Sequence, residues 1–211
     1  MKLCRKPLLA ALAVAFLASV RVQANLITGE IWENFTTTTL GNEAGSLANV
    51  ATLRATRSAD VTFGVTAPVV FYFHSDVGGY TVGGFLGSGA ATILTGSSEA
   101  GNSLNNTLFY FSGMVSMVNG QTYNVNHDDG VELLINGFDV VSAAGATNTF
   151  FTWTGASGNY NFELAYAEVE GPPGILTMDL PFQGVPDGGS TMAMLGSALT
   201  VIGGVARRLC G

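Results

Sequence analysis

The sequence is short of charge. Of its 211 residues only 11% are Asp, Glu, Lys or Arg, against about 25% in an ordinary globular chain. Between Asn25 and Pro186 there is no lysine, and Arg54 and Arg57 face fourteen acidic residues. So acidic a stretch repels a phosphate backbone, which excludes nucleic-acid binding, and it attracts cations. Cysteine is missing from the same stretch, since Cys4 and Cys210 lie near the two ends. No disulfide framework, zinc cluster or thiol nucleophile can be built between them. Cys4 precedes an apolar run instead of ending it, so it does not read as a lipid-attachment cysteine. Histidine is limited to His74 and His127, and no nucleophile elbow accompanies them. The run Gly84 to Gly89 lacks the Lys-Ser/Thr of a phosphate loop and reads as turn glycines. Glu168 and Glu170 could imitate a glycosidase carboxylate pair, but an enzyme is not the expectation.

What the chain does have is glycine and aromatics: 28 Gly, 13 Phe, 6 Tyr and 2 Trp. That mixture favours short strands and tight turns. Along Asn159 to Tyr166 the apolar residues Tyr160, Phe162, Leu164 and Tyr166 alternate with Asn159, Asn161 and Glu163, the pattern of a half-buried strand. Val61, Phe63 and Val65 repeat it briefly. Val69–Phe73, Tyr80–Leu86, Leu108–Val118, Phe150–Trp153 and Ile175–Leu180 are further expected strands. Asn136-Gly137 marks a hairpin, because both residues accept the positive φ of a type I′ turn. Glu43 to Ala59 is left for a short helical piece or a loop. The expectation is an all-β sandwich.

Both ends look like sorting signals. Lys2, Arg5 and Lys6 precede a thirteen-residue apolar run, Leu8 to Val20, and Val22-Gln23-Ala24 follows it. This is the order of a cleaved export signal, with cleavage after Ala24; the run falls short of the ~20 residues that span a bilayer. At the other end, Val185-Pro186-Asp187-Gly188-Gly189-Ser190 leads into an apolar segment, Met192 to Ala206, and then Arg207-Arg208. The basic pair holds that end in the cytoplasm. A short polar motif, an apolar segment and a basic stop resemble the PEP-CTERM class of bacterial sorting tails, in its VPDSG-CTERM variant, with Gly188-Gly189-Ser190 departing from Ser-Gly. The resemblance implies recognition by an exosortase, a membrane-embedded sorting enzyme. It also implies export, transient membrane anchoring by the C-terminal segment, and a destination at the cell surface or in the extracellular matrix.

The remaining distinctive segment is Tyr123 to Gly137, where a strand pattern runs into Asp128-Asp129-Gly130 and then into a second strand ending at Asn136-Gly137. Adjacent carboxylates repel. They persist in solvent or around a hard cation such as Ca²⁺, which takes oxygen ligands. An EF-hand is excluded, because Ile135 stands where its bidentate Glu belongs. A solvated Asp-Asp-Gly turn remains the plain alternative. The segment resembles the signature of PA14-type domains, and Gly120-Gln121-Thr122-Tyr123 and Gly158-Asn159-Tyr160 extend the match over residues 108–180. His127 stands where that family usually has Ser, and Asn136 where it has Asp. The resemblance implies a β-sandwich in which Asp128 and Asp129 bind Ca²⁺ with a second loop, Ala167 to Gly171, where Glu168 and Glu170 are the acidic candidates. In lectins of this type the ion orients sugar hydroxyls. The expected layout is therefore a signal peptide at 1–24, a PA14-like domain at 25–182 and a sorting signal at 183–211. The expected function is an exported module binding a cell-surface or extracellular glycan with Ca²⁺. The alternatives are a structural matrix or assembly protein with no ligand and, last, a glycan-active enzyme.

Overall fold

The computed structural model describes residues 27–35, 45–65, 71–169 and 171–182. The expected signal peptide with Ala24, the tail from Gln183 with its sorting residues Val185 to Ser190, Arg207 and Arg208, and Glu170 all lie outside the described residues. Those described belong to one compact unit, Asn25–Gly184.

In chain order the elements are β1 (Ile27–Trp32), α1 (Leu47–Thr56), β2 (Val61–Val65), β3 (Phe71–His74), the single turn α2 (Ser75–Gly78), α3 (Val82–Ser88) and β4 (Ala91–Thr95). They continue with a 3₁₀ turn (Ser97–Gly101), β5 (Thr107–Met117), β6 (Thr122–Asp128), β7 (Val131–Ile135), β8 (Phe138–Ala143), β9 (Thr147–Thr152), β10 (Gly158–Glu168) and β11 (Ile175–Met178). They form two antiparallel sheets, one of seven strands in the order β4-β2-β1-β5-β10-β7-β8 and one of four in the order β3-β11-β6-β9. The fold is the expected all-β sandwich.

Alternation explains the layers. Inward residues of the large sheet (Phe63, Phe109, Phe111, Leu133, Phe162 and Leu164) share one core with Phe71, Phe73, Val125 and Leu176 of the small sheet. Phe111 is the hinge between the layers, with its ring 5.2 Å from Phe63, 5.1 Å from Phe71 and 5.3 Å from Phe73. Such edge-to-face aromatic contacts each add about 0.5–1.5 kcal/mol beyond the area they bury.

A second, smaller core lies on the opposite face of the large sheet. Trp32, Leu108, Tyr110, Ala165 and Ala167 are covered there by Val50, Leu47 and Leu53 of α1. This cover explains why the clean alternation of β10 stops at Leu164 and both faces are buried beyond it. The helix starts because the Ser46 hydroxyl accepts from the Asn49 N–H, and Glu132 Oε2 accepts from the Leu47 N–H at 2.6 Å. A carboxylate at that position also offsets the positive end of the helix dipole.

One expected strand is wrong. Tyr80–Leu86 is not extended; most of it forms α3, and the glycines from Gly84 to Gly87 are helical instead of turn residues. Thr81 caps this helix by accepting from the Gly84 N–H at 3.1 Å. A β-carbon on Gly84 would collide with the carbonyl of Gly78, so the glycines let α2 and α3 touch backbone to backbone. The Asn136-Gly137 hairpin is as expected, with φ of 55° and 78° at its two central residues. Among the described residues no helix is long and apolar enough to cross a membrane.

Candidate functional site

Asp128 closes β6, and Asp129-Gly130 turns the chain into β7. The Asp128–Asp129 peptide bond is cis. Asp129 is tied to the end of β10: its N–H donates to the Ala167 carbonyl at 3.2 Å, and its Oδ2 accepts from the Val169 N–H at 2.7 Å. The Ala167 N–H returns a bond to the Gly130 carbonyl at 2.9 Å. These three bonds hold the aspartate turn against the start of the loop that follows β10. Asp129 is only 5% exposed.

Glu168 lies beneath the turn and is completely buried. Its Oε1 accepts from the Tyr80 hydroxyl at 2.8 Å, and its Oε2 from the Tyr166 hydroxyl at 2.9 Å. The Tyr166 hydroxyl also donates to the Asp128 carbonyl. One phenolic proton cannot serve two acceptors at once, so a proton held on Glu168 resolves the conflict. Burial is the main force that pushes Glu168 up, to about 8; the charges of Asp129 and Asp128 add to it, against the pull of the two hydroxyls. Burial likewise raises Tyr80 and Tyr166, helped by the nearby carboxylates. Gly174 leaves room for this arrangement, since a β-carbon there would stand 3.0 Å from Glu168 Oε2.

His127 precedes the pair and points into the core, 1% exposed. Its Nδ1 is 2.5 Å from the Asp129 carbonyl, so Nδ1 carries the proton of the neutral ring. Nε2 has no hydrogen-bond partner among the described residues, and burial lowers the affinity of the ring for a second proton. On the other side of the turn, a β-carbon on Gly45 would collide with the Gly130 carbonyl. The α1 entry is therefore seated directly on the residues that follow the aspartates.

The expected site residues thus separate. Asp128, Asp129 and Glu168 come together at one end of the sandwich, with Glu168 turned inward beneath the aspartates. The donor set is oxygen only, rich in negative charge, and away from Arg54 and Arg57, which pair with Glu30 and Asp60. That chemistry suits a hard divalent cation. Among the described residues no three His, Cys, Asp or Glu side chains gather into a metal cluster. A full shell would therefore need carbonyl, water or ligand oxygens as well.

Tyr80 and the inward role of Glu168 are absent from the sequence-based site. Glu168 carried a readable signal, because it continues the inward series Phe162, Leu164, Tyr166. Tyr80 carried none, because its partner is 88 residues away.

Residues 184–209 match the VPDSG-CTERM motif. No curated protein matches the chain. Similar solved structures include the PA14 domain of the MpAFP antifreeze protein, with 22% identity over 77% of this chain and 85% of that one and a TM-score of 0.49. The PA14 sugar-binding domain of an RTX adhesin shows 24% identity over 74% and 87% of the two chains, with a TM-score of 0.48. The Epithelial Adhesin 6 A domain from Candida glabrata, solved with Galb1-3GlcNAc, shows 13% identity over 81% and 85%, with a TM-score of 0.43.

Proposed function

We propose that this chain is an exported surface protein whose β-domain, residues 25–182, binds glycans through Ca²⁺ held at Asp128 and Asp129. One observation carries the reading: two adjacent acidic residues sit in a turn that backbone bonds and the Asp129 carboxylate tie to the end of β10, where a third carboxyl group, Glu168, is buried. Such a concentration of negative charge is costly unless a proton or a cation balances it. Asp128 and Asp129 would hold the ion, which when bound supplies positions for vicinal sugar hydroxyls. Glu168, clamped by Tyr80 and Tyr166, would set the charge beside the turn, with Glu170 as a further acidic candidate from the sequence. The sequence resemblance to PA14-type lectins supports this ligand class, and the VPDSG-CTERM match supports export and surface sorting, with an exosortase-type enzyme as the partner of the tail.

The test is thermal melting of the full chain in millimolar Ca²⁺ and in chelator, paired with a glycan array under the same two conditions. At a hundredfold excess over the dissociation constant, Ca²⁺ should stabilise the fold by about 2.7 kcal/mol. The Asp128→Asn/Asp129→Asn double variant should stay folded and lose both that gain and glycan capture. Equal midpoints for the unaltered chain in Ca²⁺ and chelator would overturn the metal site. They would leave an ordinary Asp-Asp-Gly turn.

A further inference from the structure

The outward face of the small sheet is built unlike an ordinary solvated face. Cross-strand register sets Tyr72 of β3 beside Thr177 of β11, Thr177 beside Asn126 of β6, and Asn126 beside Asn148 of β9. One straight row of a phenol, a hydroxyl and two amides thus crosses all four strands. In the next row Asn124 stands opposite Phe150, and on its other side the Asn124 N–H donates to Asp179 Oδ1 at 2.7 Å. Tyr72, Asn124, Asn126, Asn148, Thr177 and Asp179 line a groove of about 420 Å³.

Asparagine is disfavoured in strands, and outward amides gain no core packing in return. A local preference broken with no structural compensation marks a position held for another reason. The Asn124 side-chain oxygen adds to this, because it is shielded and accepts no hydrogen bond among the described residues. The aromatic rings fit the same picture. Tyr72 is 41% exposed and Phe150 63% exposed, at opposite sides of the amides. Tyr72 lies flat on His74, with centroids 5.7 Å apart and planes within 14°, so its ring plane is set in advance. A pyranose ring offers C–H groups to an aromatic face and paired hydroxyls to groups that both donate and accept, which an amide does.

Charge narrows the ligand. Arg54 and Arg57, bound to Glu30 and Asp60, are remote from this face, and among the described residues the carboxylates at its margins are Asp179, Asp128 and Asp76, the last 3.7 Å from His74 Nδ1. An anionic polymer is disfavoured. The central row also lacks the apolar core of a protein interface. β6 presents Thr122, Asn124 and Asn126 outward over about 13 Å at ~3.3 Å per residue, room for more than one sugar ring.

We propose that this sheet face is a second glycan-binding surface, one that takes a neutral linear polysaccharide without Ca²⁺. It shares the ligand class of the Asp128–Asp129 site but neither its residues nor its cation. The test is affinity electrophoresis of the full chain through gels containing galactomannan, xyloglucan or hydroxyethylcellulose, run in chelator, with a parallel set in millimolar Ca²⁺. Retardation by at least one polymer is expected. Tyr72→Ala and the Asn126→Ala/Asn148→Ala pair should weaken it about tenfold, while Tyr72→Trp should retain it and Asp128→Asn/Asp129→Asn should leave it unchanged. Melting midpoints close to that of the unaltered chain establish that the variants are folded. Absence of retardation by all three polymers overturns the proposal, as does retardation that survives both face variants. Retardation that requires Ca²⁺ and the aspartates overturns it too, while sustaining the first site.

Discussion

A carboxyl group buried beside two others keeps its proton far above the usual range, and Glu168 is so placed. Its value of about 8 in the fold, against 4.5 ordinarily, means that the native state holds an extra proton between those limits. Stability should therefore fall as pH rises from about 4.5 to about 8. Glu33, raised chiefly by its own burial, adds to that fall from 4.5 upward. His127 works in the opposite direction: its lowered value means that the unfolded chain binds a proton first as pH drops below 6.5, and stability is lost there. The window from pH 6.5 to 8 is consequently where Glu168 shows most clearly. Melting in chelator across that window should show a declining midpoint for the unaltered chain. In Glu168→Gln, which keeps a side chain able to meet both tyrosines, the decline should shrink. An undiminished slope in that variant would place the titration elsewhere.

At the scale of elements, alternation was enough to find β2 and β10, apolar runs between turn residues marked β5 and β11, and Asn136-Gly137 located the β7–β8 turn. The aspartate pair was legible for the same local reason, because adjacent carboxylates before a glycine are uncommon within strand patterns. α3 was not legible. Its Gly83, Gly84 and Gly87 lower helix propensity, and the contacts that justify the first two are packing facts about Ala100 and Gly78. Those glycines should not behave alike. Gly84→Ala forces a β-carbon into the Gly78 carbonyl and should cost about 1–3 kcal/mol. At Gly87 a β-carbon meets nothing within 4 Å, so Gly87→Ala should stabilise by up to about 1 kcal/mol through helix propensity. α1 offers a third case. Glu132→Ala removes the acceptor of the Leu47 N–H and should cost about 1 kcal/mol, loosening the helix that covers Ala165 and Ala167. Urea denaturation midpoints at constant slope measure all three.

For the whole molecule, the proposed export and sorting would process both ends. Mature protein recovered from the cell surface should begin at Asn25 and lack the segment beyond about Val185, both read from its intact mass. Deletion of Arg207 to Gly211 should leave the chain unprocessed or released into the medium. A surface form that keeps its full C-terminus would replace sorting with simple anchoring.

The position of β11 has a mechanical consequence. It is the last described strand, ending at Met178, seven residues before Val185, yet it sits inside the small sheet, with β3 on one side and β6 on the other. Four residues of β11 pair with each neighbour, in antiparallel register. Tension applied to the C-terminal end and transmitted along the chain meets the Val115–Phe182 bridge to β5 first and then this strand. Ladder hydrogen bonds lie across the strand direction, so a pull along β11 must shear both ladders together; an edge strand could peel from one bond at a time. If the domain is anchored through its C-terminal end as proposed, β11 is bonded on both sides against that pull.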